Sequence, residues 1–261
     1  MTYSIAGTGN MAWFLATRLQ EAGWQCAGIY GRDAAAAAAL AEYCGAKVFA
    51  SIQELPDMPG HTCLLAVTDN AIALLASELA LQESVLVHSS GTSSIDLLRG
   101  AARHCAVLWP VYSIIRGQEP AAGILPIVWE ANDAIAATAV QAVSALLASS
   151  SFEAGEVQRR QLHLAAVFVN NFINHLVAVS QELCAVQQLP FELLQPLLRQ
   201  TCERVLQQPA AAVQTGPARR GDTLTMQRHL ELLSAMPEWS AVYRDISASI
   251  MKMYGRDQGA Q

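Results

Sequence analysis

Near the N-terminus, Gly7-Thr8-Gly9-Asn10-Met11-Ala12 stand in the pattern G-x-G-x-x-A, with an apolar run at 3–6 before them and a helical pattern behind. That order suits close approach of the backbone to a pyrophosphate. Gly7 permits the tight turn, and Gly9 leaves N–H groups bare at the helix N-terminus, where the dipole favours an anion. Ala12 is small where the helix meets the strand. Thr8, Asn10 and Met11 complete the turn. A glycine turn without a ligand is the alternative, but strand, turn, helix and second strand all occur in register, which favours a dinucleotide. The second strand ends in Tyr30-Gly31-Arg32. An NAD site wants Asp or Glu roughly 20 residues beyond the glycines; Arg32 instead offers a permanent planar cation suited to a 2′-phosphate. The cofactor expected is therefore NADP(H). The neighbouring Asp33 reads as a helix N-cap.

Two further strand ends point to the same crevice. One runs through Leu64-Leu65-Ala66-Val67-Thr68-Asp69, the other through Val85-Leu86-Val87-His88-Ser89-Ser90-Gly91. Ligands of doubly wound sheets lie beyond the carboxyl ends of strands, so Val67 and Thr68 join the cofactor candidates. His88, Ser89 and Ser90 become candidates for contact with a substrate. Asp69 reads first as a cap.

Hydride transfer to a carbonyl or imine also needs a proton from a positioned acid. Lys47 and Lys252 are the only lysines, so the donor must be His, Ser, Tyr or water, and His88 and His163 are the two His placed at the crevice. His163 opens a polar stripe on a long helical pattern. At about 100° per residue, His163, Asn170, Asn174 and Gln181 fall within about 40° of one another, flanked by Asn171 and His175. Such a stripe either faces a cleft, where Asn170 would bond the reacting atom, or pairs with another helix or subunit. Arg219, Arg220 and Asp222 sit in a Gly/Pro loop. Arg220 either clamps a substrate carboxylate, which implies a small oxo, hydroxy or imino acid, or makes a structural salt bridge. No His or Cys has metal-ligand spacing, so no metal site is expected. Neither a G-x-S-x-G elbow nor a P-loop occurs.

The elements that must position these groups divide the 261 residues in two. Strand patterns at 3–6, 25–30, 63–67, 85–88, 106–108 and 126–129 alternate with helical ones at 11–22, 34–44, 70–81 and 134–149. That alternation predicts an α/β, Rossmann-like, mainly parallel sheet over 1–154. An all-α domain follows over 155–261, with helices at 157–188, 191–207, 222–234 and 238–254, a loop at 210–220, and a fraying tail at 255–261.

Composition limits the setting. A 52% hydrophobic and 15% charged chain is globular, and a net charge of −6 argues against nucleic-acid binding. The stretches 134–152 and 161–181 lack charges but are interrupted by polar residues, so they read as buried helices, not membrane spans. The all-round apolar character of 161–181 predicts a homodimer through the helical domain. The opening residues lack the basic region of a signal peptide, and six cysteines without framework spacing suit reduced thiols. A cytoplasmic protein acting on a small molecule, with no nucleic acid or membrane partner, is the expectation.

These residues carry a resemblance. The N-terminal half is similar to the NADP-binding domain shared by pyrroline-5-carboxylate reductases, deazaflavin-dependent NADP reductases and β-hydroxyacid dehydrogenases; Gly7-Thr8-Gly9-Asn10-Met11-Ala12 is closest to the first two. The whole chain resembles a family that joins this domain to a helical domain of unknown function. His88-Ser89-Ser90-Gly91, the segment from Leu162 through Asn170-Asn171-Phe172, and Gly216-Pro217 through Arg219-Arg220-Gly221-Asp222 carry that match. Trp109-Pro110 departs from it, since such proteins often show His-Pro there. In β-hydroxyacid dehydrogenases a Lys one turn before an Asn acts as acid/base; the comparable position here is Val167, so that mechanism is absent. The resemblance implies an NADP(H)-dependent oxidoreductase. Two alternatives stand beside it: a non-catalytic NADP(H)-binding sensor or scaffold, and an imine reductase like pyrroline-5-carboxylate reductase.

Overall fold

The computed structural model describes residues 1–118, 120 and 124–254; the tail expected to fray at 255–261 lies outside them. Two compact units divide the chain, Met1–Asn171 and Phe172–Gln261.

In the first unit eight strands form one sheet: β1 (Thr2–Ala6), β2 (Gln25–Tyr30), β3 (Lys47–Val48), β4 (His61–Leu65), β5 (Leu81–His88), β6 (Ala102–Pro110), β7 (Leu125–Ala131) and β8 (Ala148–Glu153). Their order is β3-β2-β1-β4-β5-β6-β7-β8. All neighbours are parallel except the antiparallel pair β6 and β7. The strand order reverses between β1 and β4, and the carboxyl ends of both strands open beside that switch point.

Apolar residues on both faces explain why the strands read as nearly continuous hydrophobic runs. Tyr3, Ile5, Leu64, Ala66, Val85 and Val87 point into one core layer, built with α1 (Asn10–Glu21), α2 (Ala34–Cys44) and, beyond α3 (Asp69–Ala76) in the chain, α4 (Ala134–Leu147). Cys63, Leu65 and Leu86 alternate into the opposite layer, against α3 (Asp69–Ala76) and the short turns at 52–54 and 95–98. The Ala34–Ala39 run folds as helix, with Asp33 accepting from the Ala35 and Ala36 N–H groups at 3.0 Å each.

Several boundaries differ from the pattern reading. Residues 148–149 leave α4 and begin β8, a polar edge strand whose exposed Ala-Ser-Ser-Ser-Phe-Glu sequence carries no alternation to detect. Helix α3 ends at Ala76, and β5 starts at Leu81. There the Asp57 carboxylate accepts from the Gln82, Glu83 and Ser84 N–H groups, so polar residues lead into an otherwise apolar strand.

After β8, α5 (Glu156–Val167) belongs to the first unit and continues through a π turn at Phe168–Phe172 into α6 (Ile173–Val186) of the second. The second unit adds α7 (Gln195–Gln207), α8 (Ala210–Val213), α9 (Pro217–Arg220), α10 (Thr223–Leu232) and α11 (Pro237–Tyr254). The expected loop at 210–220 thus holds two short helices. Residues 161–181 do not form a buried helix: Phe168 is 60% and Val169 69% exposed. By length and composition Glu156–Val186 passes as a membrane span, alone among the described residues.

Arg159 ties α5 to the sheet. It is completely buried, donates to the Glu130 carboxylate at the end of β7, and gives a second N–H to the Ser93 carbonyl at 2.6 Å. Arg160 donates to the Thr92 carbonyl at 2.8 Å, so two successive residues of α5 hold the loop that follows β5.

Candidate active site

The dinucleotide pattern folds into an open cradle. Gly7 has φ +126°, and a Cβ there would stand 2.1 Å from the Ala66 carbonyl oxygen, so only glycine fits without displacement. Its N–H donates to Tyr30 O at 2.8 Å, while the Ala66 N–H donates to Ala6 O at 2.8 Å. The ends of β1, β2 and β4 are therefore bonded together. A Cβ on Gly9 would meet nothing within 4 Å, and Gly9 caps α1 without any side-chain hydrogen bond. The first N–H groups of α1 consequently keep their capacity for an anion.

Gly7, Thr8, Gly9, Asn10, Met11, Arg32, Val67 and Thr68 all line one cavity of about 430 Å³, together with Tyr30, Gly31 and Ala66. Arg32 is exposed at its edge, in no ion pair among those of the described residues. A cradle that a side chain would fill, an uncapped helix start and an uncommitted guanidinium all suit a phosphorylated dinucleotide.

A second cavity of about 550 Å³, also within the first unit, brings His163, Asn170 and Asn171 together with Trp109, Tyr112, Ser113 and Gln118. Among the described residues, no Asp, Glu, Lys or Arg lines it. Asn10, from the first cavity, donates to the Ile114 carbonyl at 3.2 Å, inside the loop that walls the second. The His163 and Trp109 rings lie 5.5 Å apart at 42°. Gly91 makes this packing possible, because a Cβ there would stand 2.6 Å from His163 Cδ2 and 2.7 Å from the Trp109 ring.

The residues after β5 bond largely among themselves. His88 is fully buried. Its Nδ1 accepts from the Ser90 N–H at 3.2 Å, and Nε2 lies 3.3 Å from the Ser94 carbonyl. That pairing requires the Nε2–H tautomer of a neutral ring. Burial, reinforced by the nearby Arg159 charge, lowers its pKa to about 4. With both nitrogens committed, His88 braces the loop, and of the two histidines His163 is the one that lines a cavity. Ser90 Oγ likewise accepts from the Thr92 and Ser93 N–H groups, while Ser89 remains half-buried. Arg220 lies in the second unit, exposed at the last position of α9.

The π turn alters the stripe. An i→i+5 turn adds a residue, rotating everything beyond it by roughly 100° relative to an uninterrupted α-helix. Asn170 and Asn171 accordingly line the cavity together, and His175 packs against Trp239 at 5.7 Å in the second unit. The wall from Val111 to Gln118 was not singled out by sequence reasoning; the one signal was a β6–β7 connection long for a hairpin.

This arrangement is a Rossmann-like sheet followed by a helical unit, a fold shared with solved oxidoreductase structures. Residues 125–250 match the family model of a domain of unknown function, DUF2520. A Bacteroides fragilis protein named as a candidate NADP oxidoreductase is 29% identical, covering 96% of this chain and 98% of its own, with a TM-score of 0.86. A reductive aminase of Aspergillus terreus, in complex with NADPH and ethyl levulinate, shares the fold at 14% identity and TM-score 0.71, covering 99% of this chain and 94% of its own. An imine reductase of Myxococcus stipitatus with NADP+ does so at 17% and 0.65, covering 97% and 93%. No curated protein matches the sequence.

The buried imidazoles predict acid sensitivity. His61, held between Thr2 and Ser4 hydroxyls, is lowered to about 4 by burial, as is His88. Above an unfolded pKa of about 6.5 both states are neutral; below it the unfolded chain gains protons that the fold refuses until about pH 4. Stability present above pH about 6.5 is therefore lost as pH falls, by roughly 2–3 kcal/mol per ring. Urea midpoints should drop between pH about 7 and about 4; a flat profile would contradict neutral burial.

Proposed function

We propose that this chain is an NADP(H)-dependent oxidoreductase acting on a carbonyl or imine. One observation carries the reading: the residues expected to hold a dinucleotide all line a single cavity at the carboxyl ends of β1, β2 and β4, with the exposed Arg32 at its edge. Helix α1 would receive the pyrophosphate on its first N–H groups, Gly7 and Gly9 would admit it, and Arg32 would bind the 2′-phosphate. Bound there, the nicotinamide supplies hydride. His163 would exchange the substrate proton and Asn170 would hydrogen-bond the reacting oxygen or nitrogen, with Ser89 as a further contact. His88 and Ser90 keep their loop in place behind them. Trp109 and Tyr112 limit water at that end.

The finer substrate class, a small oxo, hydroxy or imino acid, depends on Arg220 supplying a cation for its carboxylate. In this reading residues 1–154 carry the cofactor, and residues 155–261 serve substrate binding and dimerisation in a cytoplasmic homodimer. The exposed apolar side chains between Phe168 and Val186 support a second copy as their cover. The alternative of a non-catalytic NADP(H)-binding sensor draws on the internal commitment of His88 and the absence of lysine between Lys47 and Lys252.

The cofactor assignment is tested with Arg32→Ala. Loss of one charge-assisted phosphate bond, roughly 1.5–3 kcal/mol, should weaken NADPH binding about ten- to a hundredfold and leave NADH nearly unchanged. Equal losses in fluorescence titrations would refute the 2′-phosphate contact.

The chemistry is tested by screening small carbonyl compounds and imines for NADPH oxidation, then comparing variants. His163→Ala should lower kcat by about 10²–10⁴-fold while retaining NADPH affinity. An unchanged kcat would remove His163 from the proton path.

Assembly is read by light scattering at micromolar concentration. The expected mass is twice the 28.0 kDa of one chain. A 28.0 kDa particle would reject the dimer.

A further inference from the structure

The wall of the second cavity is held from behind. Tyr112, Ser113, Ile115 and Gln118 line that cavity, while two residues among them turn to α1 and the core. Ile114 packs against the main core, and its carbonyl accepts from the Asn10 side chain at 3.2 Å. The Arg116 guanidinium lies over the Trp13 ring, its carbon 3.6 Å from the ring centroid. Trp13 in turn stands 5.4 Å from the Tyr43 ring, at 50°. Further along, Arg18 donates to the Pro120 carbonyl. Asn10, Trp13 and Arg18 all belong to α1, and the first two are neighbours on one helix face.

The stack of Arg116 on Trp13 is an electrostatic hold, because the face of an indole attracts a cation. Arg116 is the only charged residue between Val111 and Gln118. It is exposed and makes none of the ion pairs found among the described residues. A contact of this kind multiplies the docked-to-undocked ratio of a segment about three- to thirtyfold. Backbone bonds secure the two ends of the segment: the Val111 N–H donates to the Pro126 carbonyl at 2.9 Å, and the Gln118 N–H to the Ile115 carbonyl at 3.0 Å. Asn10 and Trp13 hold the middle.

We propose that Arg116 is a positioning residue for the substrate: stacked on Trp13, it latches residues 111–118 to the helix that receives the dinucleotide, and so fixes the wall against which the substrate rests. This role rests on the oxidoreductase reading and adds to it the device that sets the substrate wall. One helix then serves both cavities, with its first N–H groups toward the cofactor and the Asn10–Trp13 face toward the wall. His163 stands on α5 and Asn170 on the π turn that follows, not on the latched segment. Loosening the latch therefore weakens substrate binding without moving the groups that exchange the proton. The stack also turns the segment's one cation away from the cavity.

Hydrogen exchange on the full chain, without ligand, reads the latch directly. In Arg116→Ala, and in Trp13→Leu, which keeps an apolar group in place of the ring, the peptide spanning 111–118 should exchange about three- to thirtyfold faster. Peptides from β4 and β5 should be unchanged. Kinetics then read its use, with the carbonyl compound or imine turned over in the NADPH-oxidation screen. Both variants should raise KM by a similar factor at constant kcat and keep the wild-type NADPH affinity in a fluorescence titration. The double variant should lose no more than the worse single one, because both substitutions remove the same contact. Arg116 is exposed, so its variant decides even where Trp13→Leu folds poorly. Wild-type exchange in Arg116→Ala, losses that multiply in the double variant, or a fall in kcat at unchanged KM would overturn the proposal. Wild-type protein that neither binds NADPH nor turns over any compound would instead refute the oxidoreductase reading, and the exchange rates would still decide the latch.

Discussion

A carbonyl oxygen without room for a β-carbon beside it sets the geometry of this molecule. Ala66 O faces Gly7 so closely that any side chain would stand 2.1 Å away. The close approach lets β1 and β4 end together, and the Gly7 bond to Tyr30 draws in the end of β2. Three strand ends then share one mouth, and the first N–H groups of α1 open into it. Cavity, helix dipole and the Arg32 position all follow from that constraint. A larger residue at position 7 would separate the strand ends before it blocked a ligand.

The second cavity depends on charge in place of close backbone contact. Arg159, buried among Glu130 and the Ser93 carbonyl, anchors α5 to the sheet and to the loop after β5. Removal of Glu130 would leave the Arg159 charge buried without its partner, a change that typically costs about 3–5 kcal/mol. With that anchor fixed, His163 lies one helical turn further along, where the missing Cβ of Gly91 admits it against Trp109. One polar helix end thereby places an imidazole in a cavity whose lining, among the described residues, is uncharged.

Much of this was legible in the chain. The parallel strands announced themselves because both faces are buried, and the glycine turn because backbone approach to Ala66 demands it. Asp33 as a cap and the cofactor candidates at 7–11, 32 and 67–68 fell in one place. What could not be read has physical causes. The polar edge strand β8 has no buried face to impose alternation. The π turn breaks the angular arithmetic beyond residue 168, so Asn171 joined Asn170 in the cavity lining. His88 looked reactive because polar residues surround it, but those neighbours consume both ring nitrogens. The Val111–Gln118 wall is irregular loop, whose contribution depends on tertiary placement that no local periodicity records.

A crystal structure with NADP+ soaked in is the most direct test of the central claim. The account predicts the pyrophosphate on the N–H groups that open α1, the 2′-phosphate on the Arg32 guanidinium, and the nicotinamide ring toward His163 and Asn170. Density for the cofactor elsewhere, or a nicotinamide facing water alone, would contradict it.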